Sequence, residues 1–218
     1  MEKDNQNIIK EFWNWLWNSE SWWSYLVFLV IIFILVKFIL LPGLGFIMGT
    51  SLPLAIVESG SMEHYSIAEG NTKYVLCGQL FNSKEFFSLE QYWQVCGNWY
   101  ESKNITKEQF SSFKFKNGFR KGDLMIIISK KPENIKIGDV LVFNAGRNHP
   151  IIHRVIATNP FQTKGDHNNG QIIPQFDPVY STDETNIKEN QIIGVAVAKI
   201  PYLGWIKLFF VELLSKLM

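Results

Sequence analysis

Three side chains that could cooperate in acyl transfer are spread along this sequence: a serine on a glycine-flanked bend, a histidine inside an apolar run, and an aspartate in a tight turn. Ser61 lies in IVESGSMEH (56–64), directly after an apolar segment. A serine on such a bend presents its hydroxyl to solvent, and neighbouring backbone N–H groups can point at a reacting oxygen. An ordinary S-G-S turn has the same composition. His153 interrupts the apolar stretch IIHRVI (151–156), where a titratable ring is costly unless it is hydrogen-bonded. Its unperturbed pKa of about 6.5 suits a general base acting on a hydroxyl, and a core histidine bonded to a carbonyl is the bland alternative. Arg154 should face the opposite side of the same strand, so it is no obvious partner of His153. Asp166 stands in the Gly-Asp turn of TKGDHN (163–168), where an Asx-turn is the simpler use, and Asp177 and Asp183 follow. His64, His149 and His167 read as exposed, and no two histidines share a metal-ligand spacing.

These residues need a scaffold, and the segments around them are short and rich in Val and Ile. LAIVES (54–59), DLMIIIS (123–129), DVLVFN (139–144), IIHRVIAT (151–158) and QIIGVAVAKI (191–200) are separated by turns such as Gly122-Asp123 and Gly138-Asp139. Short strands at this spacing predict a mainly β, antiparallel domain over residues 47–201. Residues 63–120 differ in texture, being aromatic and polar, and read as an insertion with helical pieces at 88–100 and 105–110, Thr106 being placed to cap the second. Cys77 and Cys96 both lie in that insertion, nineteen positions apart. They form either a disulfide, which would fit a site outside the cytoplasm, or two free thiols.

The ends of the chain are membrane-like. Residues 22–41 form a run of twenty with a single charge, Lys37, enough for a helix of about 30 Å, the thickness of a bilayer's hydrocarbon core. The run is too long for a signal-peptide core, and no small-residue cleavage site follows it. Residues 1–21 hold three of the eight tryptophans (Trp13, Trp15 and Trp17) and read as an interfacial segment, with Trp22 and Trp23 opening the helix. Lys3 and Lys10 lean toward an N-terminus in the cytoplasm and a body outside it. Residues 202–218 are a second apolar stretch interrupted by Lys207, Glu212 and Lys216, with Glu212 and Lys216 spaced to pair. They predict an amphipathic helix on the membrane ahead of a short second span. Across the whole chain 21 basic residues meet 20 acidic ones, so no field draws in nucleic acid. With 47% hydrophobic residues the chain is not a disordered one.

Taken in order, the motifs resemble the type I signal peptidase family. SGSM (59–62), KGDLMII (121–127), IKIGDVLVF (135–143), IIHRVI (151–156), TKGDHN (163–168) and IIGVAVAKIPYLG (192–204) follow a membrane anchor, and the likeness covers nearly everything outside the insertion and the extreme N-terminus. A histidine at 153 resembles the archaeal and endoplasmic-reticulum branch, whereas bacterial members carry a lysine there. The resemblance implies Ser61 as nucleophile, His153 as general base, Asp166 as the aspartate of the TKGD turn and Asp177 as the later acid, with Asp183 competing. Ser59 matches a hydroxyl that assists the oxyanion hole, beside the Ser61 backbone N–H. It further implies a membrane-bound serine endopeptidase that removes signal peptides from secretory preproteins with small residues at −1 and −3. Such an enzyme would sit in the cell membrane, with one or two passes and its catalytic domain on the extracytoplasmic side. Its partners would be the lipid bilayer and translocation machinery, and no metal or cofactor is called for. Two rivals follow: a Ser-Lys protease in which Lys121 or Lys164 activates Ser61, and a non-catalytic membrane-anchored assembly subunit. The departure from the family is the insertion itself, with Glu63-His64 where a short loop is typical.

Overall fold

The computed structural model describes residues 2–70, 73–177, 179 and 182–215, and its chain divides after Ile47 into two units. In the first, α1 (Glu2–Asn18) is followed by α2 (Trp22–Leu35), which Ser21 caps by accepting the Trp23 N–H. A π-helical turn, Val36–Leu40, then leads into α3 (Leu41–Met48). Pro42 lacks the N–H that a regular α-helix would use, and the wider turn directly before it accommodates that loss. Trp22–Met48 is therefore one helical run of 27 residues, long and apolar enough to cross a membrane. It extends seven residues past Leu41, the end expected from the sequence.

Among the described residues, the second unit has nine strands: β1 (Leu54–Ile56), β2 (Ile67–Glu69), β3 (Lys73–Leu76), β4 (Gln79–Phe81), β5 (Leu124–Ile128), β6 (Val140–Phe143), β7 (Ile151–Thr158), β8 (Phe161–Lys164) and β9 (Ile192–Ile200). Its helices are α4 (Leu89–Glu101), α5 (Lys107–Ser112) and α6 (Trp205–Ser215). Six strands form the main sheet in the order β1-β5-β9-β6-β7-β8, every neighbouring pair antiparallel, as the sequence pattern leads one to expect. Both faces of the sheet are covered. Leu141, Phe143, Val155 and Val195 pack on one side, Met125, Ile127, Val140 and Val142 on the other. Burial on both faces explains why β6 reads as an unbroken apolar run instead of an alternating one.

Within the insertion, α4 and α5 begin at capping boxes, Ser88 with Gln91 and Thr106 with Gln109. A three-stranded meander, β2-β3-β4, precedes them. Its strands of three or four residues are too short to announce themselves by alternation. Cys77 and Cys96 are joined as a disulfide with Cα atoms 5.6 Å apart, and closing a loop of this size removes on the order of 3 kcal/mol of unfolded-state freedom. Leu76, Tyr92, Trp93, Tyr100 and Phe110 form a core that includes Ile156 from β7, so the insertion rests on the strand that carries His153. After β9 the chain turns at Tyr202, and α6 docks through Trp205 over Gly122. A Cβ at Gly122, whose φ is +89°, would lie 2.2 Å from the indole nitrogen. The Glu212–Lys216 pairing lies outside the described residues.

Candidate active site

Ser61 sits at the corner of a turn closed by the Glu63 N–H on the Gly60 carbonyl, just past β1. The turn is pinned by Met62, whose side chain is buried with Val57, Phe119 and Met125. That anchor leaves the Ser61 hydroxyl half-exposed and directed at His153, with Oγ 2.8 Å from Nε2. Ser59 Oγ lies 3.2 Å from the same hydroxyl. The Ser61 N–H has no acceptor among the described residues, so it is available to a developing oxyanion.

His153 projects from the middle of β7, buried beside Leu141 of β6, its register partner. Its Nδ1 meets Glu184 Oε1 at 2.5 Å. Glu184 is fully buried and held in place from several directions: Oε1 also accepts from the Thr163 hydroxyl at 2.8 Å, and Oε2 from the Ile172 N–H at 2.7 Å. A carboxylate can only accept, so it assigns the ring proton to Nδ1 and leaves Nε2 as the acceptor of the Ser61 hydroxyl. Serine, imidazole and carboxylate thus stand in the relation that activates a nucleophile in acyl transfer.

Glu184 was absent from the sequence candidates, and the three aspartates that were present lie elsewhere. Asp166 faces Arg154: Nε reaches Oδ1 at 2.8 Å and Nη2 reaches Oδ2 at 2.6 Å. Tyr100 OH donates to Oδ1, and His64 Nε2 lies 2.9 Å from Oδ2. Burial by itself would raise the Asp166 carboxyl, but the guanidinium and the bond from His64 outweigh it and hold it well below the ordinary carboxylate range. Asp177 pairs with Arg147 at 2.6 Å, and Asp183 accepts from its own turn at Thr185. The signal that could have found Glu184 is its adjacency to Asp183 between Thr182 and Thr185, in the stretch before β9 that also holds Asp177 and Glu189.

Two histidines expected on the surface are not there. His64 is buried, stacked on Tyr92 with ring centroids 3.7 Å apart, and burial lowers its pKa below the usual imidazole value. His167 is half-buried, while His149 is exposed as expected. The lysines proposed as rival bases have other partners. Lys164, fully buried, donates to the carbonyls of Gly165 and Asp166 and lies 5.0 Å from the rings of Trp99 and Tyr100. Burial pulls it down to about 8. Lys121 lies against Trp205.

The loop Lys164–Asn168 closes the site. The His167 N–H donates to the Ser61 carbonyl at 2.9 Å. Gly165 passes so close that a Cβ there would lie 2.8 Å from both His153 Nε2 and the Ser61 carbonyl oxygen. Only glycine fits this crossing.

No family model matches the chain. Among curated proteins, it is 29% identical over 102 residues to the signal peptidase complex catalytic subunit of Colletotrichum graminicola, a match covering 43% of this chain and 57% of the relative. The counterpart from Lachancea thermotolerans is 32% identical over 104 residues, covering 43% and 59%. A human protein of the same description is 30% identical over 98 residues, covering 40% and 48%. The matches span about half the length of these curated relatives. They bear out the resemblance to type I signal peptidases drawn from the motifs.

Proposed function

We propose that this homologue of signal peptidase complex catalytic subunits is itself a membrane-bound serine endopeptidase that cleaves signal peptides from secretory preproteins. The observation that supports this reading is the hydrogen-bonded series Ser61, His153 and Glu184. In the reaction, Ser61 Oγ attacks the scissile carbonyl as its proton passes to His153 Nε2. The tetrahedral intermediate collapses with rupture of the C–N bond, and His153 returns the proton to the leaving amine. Water, deprotonated by the same imidazole, then hydrolyses the acyl-serine. Glu184 keeps the ring in the productive tautomer and stabilises its cation, the role first sought in Asp166 or Asp177. The Ser61 N–H and the Ser59 hydroxyl are the donors available to the oxyanion.

The helical run Trp22–Met48 anchors the enzyme to the bilayer its substrates cross, which confines both to one surface and raises their effective concentration. The disulfide favours a body on the extracytoplasmic side, where oxidised cysteines persist. The test uses the full chain in lipid-detergent micelles with a preprotein substrate. Ser61→Ala and His153→Ala should each lower cleavage by at least ~10⁴-fold. Cleavage by Ser61→Ala at the wild-type rate, or none by the wild type, would overturn the assignment. Full activity in His153→Ala would move the base to a lysine.

A further inference from the structure

One of the routes by which the insertion reaches the active site is the loop Lys164–Asn168, and three positions on one stripe of α4 make that connection. Tyr92, Cys96 and Tyr100 are spaced four residues apart, which stacks them along a single helix face. Both tyrosines are fully buried. Tyr92 OH donates to the Asp166 carbonyl at 2.7 Å, and Tyr100 OH donates to the Asp166 carboxylate at 2.9 Å. Cys96 holds Cys77 through the disulfide, and the Cys77 N–H donates to the His167 carbonyl at 2.9 Å.

On its other side the same loop touches the reacting groups. His167 grips the Ser61 carbonyl, and Gly165 backs against His153. Two successive backbone bonds therefore lead from the disulfide to the nucleophile: Cys77 N–H to His167 C=O, then His167 N–H to Ser61 C=O. Among the described residues, neither Tyr92, Tyr100 nor the disulfide is bonded to Ser61 or His153 directly. Their bonds would be costly to leave unmade at such depth, so the loop has little freedom while they stand.

The geometry assigns Tyr92, Tyr100 and the Cys77–Cys96 disulfide as positioning groups for proteolysis, which makes the insertion a brace that holds the Ser61–His153 distance. This rests on the reading that Ser61 and His153 carry out the reaction. Misplacement of reacting groups by about 1 Å can cost ~10²-fold in rate, while substrate binding elsewhere is left alone. The brace should therefore act on kcat and leave KM unchanged.

The full chain in lipid-detergent micelles provides the test, with two readouts: preprotein cleavage, and the rate at which a small fluorophosphonate modifies Ser61. Tyr92→Phe and Tyr100→Phe remove one hydroxyl each and keep the ring. Each should lower kcat by roughly 10-fold or more, with KM within about twofold and an equal fall in the modification rate. All assays are run well below the thermal midpoint of each variant. Mild reduction of the wild-type disulfide should give the same kcat-only loss, and reoxidation should restore the activity. Wild-type kcat and modification rates in both variants and in the reduced enzyme would overturn the brace, as would losses confined to KM. If the wild type neither cleaves nor is modified at Ser61, it is the protease reading that falls.

Discussion

His153–Glu184 and His64–Asp166 are the same two chemical groups at similar separations, 2.5 and 2.9 Å, the second held by Arg154, the neighbour of His153 on β7. Their surroundings make them opposites. Glu184 is held by neutral hydrogen-bond donors, the Thr163 hydroxyl and the Ile172 N–H, and buried Lys164 acts on it through space without a hydrogen bond among the described residues. Asp166 is already neutralised by the bidentate Arg154. The second nitrogen of His153 carries a serine hydroxyl, whereas His64 Nδ1 is buried with no partner among the described residues. On the proposed mechanism, His153 can shuttle a proton because its acid has no hydrogen-bonded cation and its far ring nitrogen meets a hydroxyl. The His64–Asp166 pair meets neither condition and is a joist.

Three experiments can break or sharpen this contrast. Replacing Glu184 by Gln should lower kcat by ~10⁴-fold, as loss of the orienting acid does in serine proteases. The thermal midpoint should stay within a few degrees of wild type. Asp166→Asn should do the reverse. It strands the buried Arg154 guanidinium, so it should destabilise the fold by about 3–5 kcal/mol, a fall of roughly 10 °C in midpoint. The activity of the molecules that remain folded should suffer far less than in Glu184→Gln. If the two variants exchange these signatures, the assignment of the acids is exchanged with them.

The smallest effect is a pH dependence. The folded-state pKa of Asp166 lies below its unfolded value of about 4, so its contribution to stability is complete above that value and is lost as the pH falls toward the folded one. The midpoint of the wild type should drop between about pH 5 and pH 3, and in Asp166→Asn this part of the acid limb should flatten. An acid limb equally steep in the variant would place the acid sensitivity in other carboxylates.

Much of the scaffold was legible because its signals are local. Val- and Ile-rich runs mark β5, β6, β7 and β9, the first two opened by the turns Gly122-Asp123 and Gly138-Asp139, and Ser88 and Thr106 open their helices through caps that need nothing beyond four residues. The strand alternation that turns Arg154 away from His153 was equally readable, and it carries the reason why Asp166, once it meets Arg154, is unavailable to His153. Glu184 was not legible. It lies 31 residues from His153, and only burial separates it from its neighbour Asp183, which accepts from its own turn. His64 was hidden for a related reason. A polar context reads as surface until the aromatic residues of the insertion, far along the chain, close over it.

The placement of His153 and Arg154 side by side on β7 also constrains how this chain can change over generations. Shifting the strand by one residue would aim a guanidinium at Ser61 and an imidazole at Asp166, disabling the chemistry and the fold at a stroke. The stretch 151–154 therefore tolerates no insertion or deletion, although β7 carries a register shift against β8 past Val155. Changes in length have to be absorbed before Ile151, in the exposed stretch around Asn148 and His149, where the sheet does not count residues.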